Sequence, residues 1–193
     1  AQWVTSNIVV ARARPFAHHV LVRPTGFRVA SDFWPRQGGW GEGVGGGGMR
    51  PDEAADADPR VEFNALYTAL VADDSRNQLI CEDVLSVMRE GRSPLVLTER
   101  TEHLERLAKR LASEVGQVII LRGGMGKPEQ RAARAQLTAG DSGSRVLLAT
   151  GAYIGEGFDE PRLDTLFLAL PISWRGTIAQ YVGRLHRLHV GKR

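Results

Sequence analysis

Short apolar runs alternate with helical patterns through the second half of the chain. The four strand patterns lie at residues 94–98, 118–121, 146–150 and 166–170. Amphipathic helices are predicted between them, over about 101–114 and 128–137, and a further helix begins near Thr177. Strands that are apolar on both faces and alternate with helices form a parallel sheet covered by helices on both sides. The pattern therefore predicts an α/β fold.

The first third of the chain has a different pattern. Two β-branched runs, at 7–10 and 19–22, predict one or two short strands, and helical spacing begins only at 61–71 and 77–89. Residues 38–48 contain eight glycines in eleven positions, and such a run behaves as a flexible tether. The predicted parts are entering strands, a glycine-rich linker or insertion, and the main domain, at residues 1–30, 31–59 and 60–193.

Composition restricts the classes of function. The chain has 193 residues, of which 42% are hydrophobic and 24% are charged, and this excludes a disordered or coiled-coil protein. No apolar run is long enough for a membrane span, so a cytoplasmic protein is expected. Because Cys81 is the single cysteine, we predict no disulfide framework and no metal site. The chain does not begin with methionine, and we expect it to be a fragment of a longer protein.

The charge is distributed unevenly. Residues 1–93 hold ten arginines against twelve acidic residues, and residues 94–193 hold fifteen basic against ten acidic residues. The second half thus has a net charge of +5. That surplus suits a polyanionic partner, although solubility alone accounts for it equally well.

Two segments match ATP-binding motifs only in part. Residues 123–128 read GGMGKP, but a phosphate loop needs glycine where Leu121 stands and a hydroxyl residue where Pro128 stands. Residues 52–55 read DEAA, like a magnesium-binding acidic box, yet they follow a glycine-rich segment instead of a buried strand. The chain is therefore expected to lack complete machinery for holding a nucleoside triphosphate.

A helical pattern near the end of the chain carries clustered cations. Gln180, Arg184 and Arg187 are spaced i, i+4 and i+7, so a helix places one amide and two guanidinium groups on one face. Two arginines on one face repel each other unless an anion lies between them, and a nucleotide γ-phosphate is a suitable anion. A solvated basic helix is the alternative with the same spacing.

A glycine-rich loop follows the third main strand. It begins at Thr150, contains Gly155 and Gly157, and ends at Asp159. Loops at the carboxyl ends of parallel strands bind ligands in α/β folds. The glycines permit close backbone approach, and Asp159 can accept a hydrogen bond from a ribose hydroxyl. A tight turn with a helix-capping aspartate is the alternative.

Together these segments resemble the motifs of superfamily-two helicases and translocases, in their second, C-terminal RecA-like domain. Residues 150–159 match motif five, and the Gln-x-x-Gly-Arg-x-x-Arg pattern of residues 180–187 matches motif six. Residues 93–100 resemble motif four, and residues 123–131 resemble the family segment that follows it. The resemblance covers roughly residues 78–193 and implies a RecA-like fold, related to that of phosphate-loop NTPases.

The resemblance also implies roles for individual residues. Arg184 and Arg187 would be arginine fingers, with Gln180 assisting at the γ-phosphate. The nucleotide would be contacted by Gly155, Gly157, Asp159 and Gly183. The phosphates of one nucleic-acid strand would be contacted by Thr98, Arg100, Gly123, Arg131 and Thr150. ATP with Mg²⁺ would be bound mainly by a first RecA-like domain that these residues do not contain, so the chain alone would not hydrolyse ATP.

The implied function is the C-terminal half of an ATP-dependent DNA helicase or translocase, with RNA left open as a substrate. Residues 99–108 and 155–171 look most like bacterial DNA helicases related to restriction and repair translocases, some of which adjoin nuclease or primase-like domains. The alternative is a non-catalytic RecA-like module that binds nucleic acid as a scaffold. Such a module needs no arginine fingers, so the intact set at 180–187 favours the enzyme.

Overall fold

The four strand patterns form one parallel sheet in the computed structural model. The structure describes residues 2–3, 19–29, 59–139, 144–154 and 160–171, and the single positions 182 and 185. The strands are β1 (Gln2–Trp3), β2 (Leu21–Val22), β3 (Pro94–Thr98), β4 (Gln117–Leu121), β5 (Arg145–Thr150) and β6 (Thr165–Leu168). The helices are α1 (Pro59–Ala72), α2 (Asp74–Arg89), α3 (Thr101–Leu111), α4 (Lys127–Thr138) and the single turn α5 (Gly151–Ile154). The main sheet has the order β4-β5-β3-β6, with every neighbouring pair parallel.

Helices cover both faces of this sheet because its strands are apolar on both sides. Along β3, Leu95 and Leu97 belong to one hydrophobic cluster, while Val96 belongs to the other. Helix α4 completes the first cluster, and α2 and α3 complete the second. The helical side chains concerned are Ala133 and Leu137 on the first face and Cys81, Val84, Leu104, Leu107 and Leu111 on the second. The predicted α/β fold is confirmed.

The fourth main strand begins and ends earlier than the apolar pattern predicts. The pattern covers 166–170, whereas β6 covers Thr165–Leu168. Ala169 and Leu170 are buried, so they are apolar because they pack beside the sheet and not because they extend the strand. The Ala169 N–H donates to the Leu97 carbonyl at 2.8 Å, which ties the end of β6 to β3.

The amino-terminal segment docks on the main domain without joining its sheet. Strand β2 pairs antiparallel with β1 in a separate two-stranded sheet. Arg23 forms an ion pair with Asp83 of α2 at 2.8 Å, and Phe27 packs against the cluster of Leu70 and Leu170. A strand is therefore present where 19–22 predicted one, with a different partner from the main sheet. The predicted strand at 7–10 and the glycine-rich segment lie outside the described residues, and the division into three parts stays a prediction.

Among the residues that the structure describes, no helix is both long and apolar enough to cross a lipid bilayer.

Candidate functional site

The carboxyl ends of the central strands bring three of the predicted nucleic-acid contacts together. Thr98 ends β3 and Thr150 ends β5, and the two are register partners on neighbouring strands. Gly123, just beyond β4, donates its backbone N–H to the Thr150 hydroxyl at 3.0 Å. These residues define one edge of the sheet, here called the carboxyl edge. Loops along such an edge are the usual ligand-binding region of α/β folds.

The Thr98 side chain lies inside the protein and belongs to a hydrogen-bonded chain. Its hydroxyl is 3.0 Å from Nδ1 of His103 on α3, and Nε2 of His103 is 2.9 Å from Oδ1 of Asn77 on α2. The Asn77 amide nitrogen donates to the Val71 carbonyl at 2.9 Å. Thr98, His103 and Asn77 are all at most 1% exposed. A phosphate contact from Thr98 would therefore have to come from its backbone or displace His103.

The direction of each hydrogen bond follows from this chain. Because the Asn77 nitrogen faces a carbonyl, its oxygen faces His103 and accepts a hydrogen bond from Nε2–H. Nδ1 of His103 then carries no proton and accepts from the Thr98 hydroxyl. Burial, together with the nearby Arg76 and Arg106, lowers the pKa of His103 to about 4. The imidazole is thus a neutral structural group at pH 7.

Acidification is expected to destabilise the protein through His103. Its folded-state pKa is about 4, below the ordinary 6.5, so the unfolded chain binds a proton that the folded chain excludes. The contribution of neutral His103 to folding stability is complete above pH 6.5 and is lost as the pH falls towards 4. Between pH 7 and pH 5 we expect a loss of about 2 kcal/mol from this group, measured by urea unfolding. His103→Gln should flatten that pH dependence, and an unchanged slope would contradict the assignment.

Arg100 is held at the carboxyl edge by helix α1. Its Nη2 donates to the side-chain oxygen of Asn64, and its guanidinium carbon lies 5.3 Å from the centre of the Tyr67 ring. Tyr67 is fixed in turn, because its hydroxyl donates to the Pro171 carbonyl at 2.7 Å. Burial and Glu99 raise the pKa of Tyr67, with Arg100 opposing them. A guanidinium held by two contacts loses little entropy when it binds an anion.

The segment after β4 presents its arginines differently. Arg131 is exposed on α4, whereas Arg122 is half-buried and lies 4.0 Å from Glu129. The Glu129 carboxylate also accepts the Gly126 N–H at the start of α4, at 3.0 Å. Gly124 has a φ of +75°, a backbone conformation that favours glycine and turns the chain into the helix. An anion approaching this helix end would meet the Glu129 carboxylate as well as the arginines.

An ionic cluster surrounds Glu160, the first described residue after the predicted nucleotide loop. Glu160 is 8% exposed and accepts from Nε of Arg162 at 2.7 Å. Nη2 of Arg145 lies 3.9 Å from the same carboxylate. Both arginines also donate to the Leu137 carbonyl at the end of α4, at 3.2 Å and 2.6 Å. The cluster fixes the point where the predicted nucleotide loop ends.

The remaining predicted site residues lie outside the described residues. They are Gly155, Gly157, Asp159, Gln180, Gly183, Arg184 and Arg187. Their roles, and those of Thr98, Arg100, Gly123, Arg131 and Thr150, stay predictions. In the same region, Val182 and Leu185 are helical, and Leu185 packs against the hydrophobic cluster on the α4 face.

Sequence reasoning missed the buried polar residues behind the carboxyl edge. Asn77 and His103 sit at ordinary positions of amphipathic helices, and Arg76 looks like a surface residue of α2. The signal that was available is their place in the apolar pattern. His103 immediately precedes Leu104 within the buried face of α3, and a polar residue there needs a buried partner.

Comparisons with known proteins bear on the fold and not on the individual site residues. No family model matches the chain. The chain is 30% identical over 136 residues to the helicase-like protein 161L of invertebrate iridescent virus 6, an alignment covering 66% of this chain and 30% of the viral protein. It thus spans less than a third of that relative.

Two solved structures share the fold. T4 UvsW superposes with a TM-score of 0.51 and 15% identity, covering 70% of this chain and 26% of UvsW. The C-terminal part of the Fun30 ATPase domain also gives a TM-score of 0.51, with 12% identity, over 63% of this chain and 40% of that structure. At these identities the likeness concerns the fold.

The comparisons support the predicted fold. The main domain has the α/β fold of the helicase and ATPase domains in these structures. The predicted resemblance to superfamily-two helicases is confirmed. The finer prediction of a bacterial helicase is not supported, because the matched relatives are viral.

Proposed function

We propose that this chain is the second RecA-like domain of an ATP-dependent DNA helicase or translocase. The observation that carries the proposal is the carboxyl edge, where Thr98, Thr150 and Gly123 lie side by side on a RecA-like sheet. This edge would follow the phosphate backbone of one nucleic-acid strand. Contacts of that kind do not depend on base sequence and are sensitive to salt.

Arg100 supplies the principal charge for this contact. Asn64 accepts from Nη2, and a guanidinium group has five N–H donors in all, so donors remain for a phosphate oxygen. The Tyr67 ring and Asn64 hold the group in place before any ligand arrives. Arg131 on the exposed side of α4 would provide a second phosphate contact.

The ATP-facing part of the proposal concerns the helix around Val182 and Leu185. Leu185 packs on the hydrophobic cluster, and Val182 lies one turn earlier on the same side. In a continuous helix, positions 180, 184 and 187 lie on the opposite side, away from the core. Gln180, Arg184 and Arg187 would therefore face a neighbouring domain. We propose that this neighbour is a first RecA-like domain, which binds most of the ATP and Mg²⁺.

Replacing Arg100 with glutamine is expected to weaken binding of the chain to single-stranded DNA and to reduce its dependence on salt. Loss of one phosphate contact should lower the slope of log affinity against log salt by about one unit. The measurement is fluorescence anisotropy with a labelled oligonucleotide over a salt series, repeated with RNA.

Arg89→Gln is the matched control, because Arg89 is exposed at the far end of α2. It should leave the slope near that of the unchanged chain. Equal slopes for the Arg100 variant and this control would show that Arg100 does not contact the nucleic-acid phosphates. Tighter binding of RNA than of DNA would change the proposed substrate.

A further inference from the structure

Buried polar side chains behind the carboxyl edge connect helix α2 to the end of β3. The connection runs from Asn77 through His103 to Thr98, with hydrogen bonds of 2.9 Å and 3.0 Å. The Arg100 N–H lies 3.4 Å from the Thr98 hydroxyl. The loop that carries Arg100 is thus attached, from inside the protein, to the first turns of α2.

The same turn of α2 also binds the end of β6. Arg76 precedes Asn77 directly, and its Nη2 donates to the Ala169 carbonyl. The Arg76 side chain is buried, and burial lowers its pKa, with Asp73 opposing the shift. Asp73 also caps the helix, because its carboxylate accepts the Arg76 N–H at 2.9 Å. One capped helical turn therefore holds two strand ends through consecutive residues.

Burying these polar residues costs free energy that packing does not require. Apolar side chains would pack equally well, and buried charged or polar groups are destabilising unless they are well paired. A satisfied polar network instead fixes one geometry among several of similar packing energy. The guanidinium of Arg76 is paired incompletely: its Nη1 is buried and has no hydrogen-bond partner among the described residues. Such a cost at the edge of a site indicates a positioning role.

We propose that Arg76, Asn77 and His103 are positioning residues that couple the ends of β3 and β6. The loop at Arg100 and residues 169–171 after β6 would then move together, so that nucleic-acid binding at the first would change the mobility of the second. This inference rests on the proposed function for its purpose. Its physical content, that α2 links the two strand ends, stands separately and is tested separately.

The first test measures backbone hydrogen exchange in the chain itself, at residues 98–100 and 168–170. In His103→Gln the side-chain nitrogen can still donate to Asn77, but no acceptor stands at the position of Nδ1 that faces Thr98, and Arg76→Met removes the donor to Ala169. Each variant loses about one hydrogen bond, so exchange should rise about fivefold to tenfold. Coupling predicts the rise at both strand ends in each variant. A rise confined to the end whose own bond was removed would overturn the proposal.

Two further variants separate coupling from loss of folding. Arg76→Lys keeps a donor for the Ala169 carbonyl and should restore most of the protection at both ends. Arg89→Met, on the last turn of the same helix, should leave both ends unchanged. If Arg76→Lys exchanges as fast as Arg76→Met at both ends, the link to Ala169 is not the cause and the proposal is overturned.

The second test adds single-stranded DNA. In the unchanged chain, binding should slow exchange at residues 168–170 as well as at 98–100, and in Arg76→Met the slowing should be confined to 98–100. Slowing at 168–170 that persists in Arg76→Met would overturn the coupling. A chain that binds no DNA would contradict the proposed function, while the exchange of the free variants would still decide whether α2 couples the strand ends.

Discussion

Arg187→Ala is expected to lower the turnover number for ATP hydrolysis by about a thousandfold or more in the full-length protein. A guanidinium group at the γ-phosphate stabilises the charge that develops in phosphoryl transfer, and such groups are worth about 10³–10⁵ in rate. We propose that Arg187 is such a group, because the i, i+4, i+7 spacing of Gln180, Arg184 and Arg187 would put all three on one face of a continuous helix. The measurement is steady-state ATP hydrolysis at saturating nucleic acid.

A matched control separates this effect from a general loss of positive charge. Arg134→Ala removes an exposed arginine from α4 and should leave turnover within about twofold, because surface substitutions away from a site have small effects. Turnover in Arg187→Ala close to that of the control would refute the finger assignment.

Glu160→Gln is expected to lower the free energy of unfolding by about 2–4 kcal/mol. The carboxylate is 8% exposed and faces Arg162 and Arg145, whose side chains are 23% and 12% exposed. Removing one partner of a buried ion pair leaves the other charge without compensation, and this typically costs about 3–5 kcal/mol. The partial exposure of Arg162 places the expected value at the lower end. Urea unfolding at pH 7 measures the change.

The control for Glu160 is an exposed glutamate on the opposite face of the sheet. Glu105→Gln, on the solvent side of α3, should change the unfolding free energy by less than about 0.5 kcal/mol. Because Glu160 follows the predicted nucleotide loop directly, its loss should also weaken binding of nucleotide in the full-length protein. Similar stability of the Glu160 and Glu105 variants would show that the cluster does not hold the loop end.

The main sheet could be predicted because its strands are buried on both faces. Four apolar runs of four or five residues, separated by amphipathic helices, leave little choice other than a parallel sheet. The partner of the amino-terminal strand could not be predicted, since the two residues Leu21–Val22 carry no signal of which strand they pair with. The apolar pattern extends the strand to residue 170, beyond its end at Leu168, because Ala169 and Leu170 are buried outside the strand. Apolar character indicates burial, and here burial continues two residues beyond the end of the strand.

The candidate site could likewise be predicted only in part. Thr98, Thr150 and Gly123 were predicted from motifs, and the structure places them together because parallel strands end at one edge. Asn77 and His103 could not be paired from sequence, since 26 positions separate them and neither belongs to a local pattern. Their association depends on how α2 and α3 pack on one face of the sheet, which is a long-range property.

The most direct test of the proposed function is ATP hydrolysis by the full-length protein, measured with and without single-stranded DNA. We predict slow hydrolysis alone and a manyfold increase when DNA is added, because in the proposed function the carboxyl edge binds the strand while Gln180, Arg184 and Arg187 contact the ATP. The same DNA should bind to this chain alone without hydrolysis. Binding of DNA with no hydrolysis under either condition would contradict the enzyme and identify the domain as a scaffold.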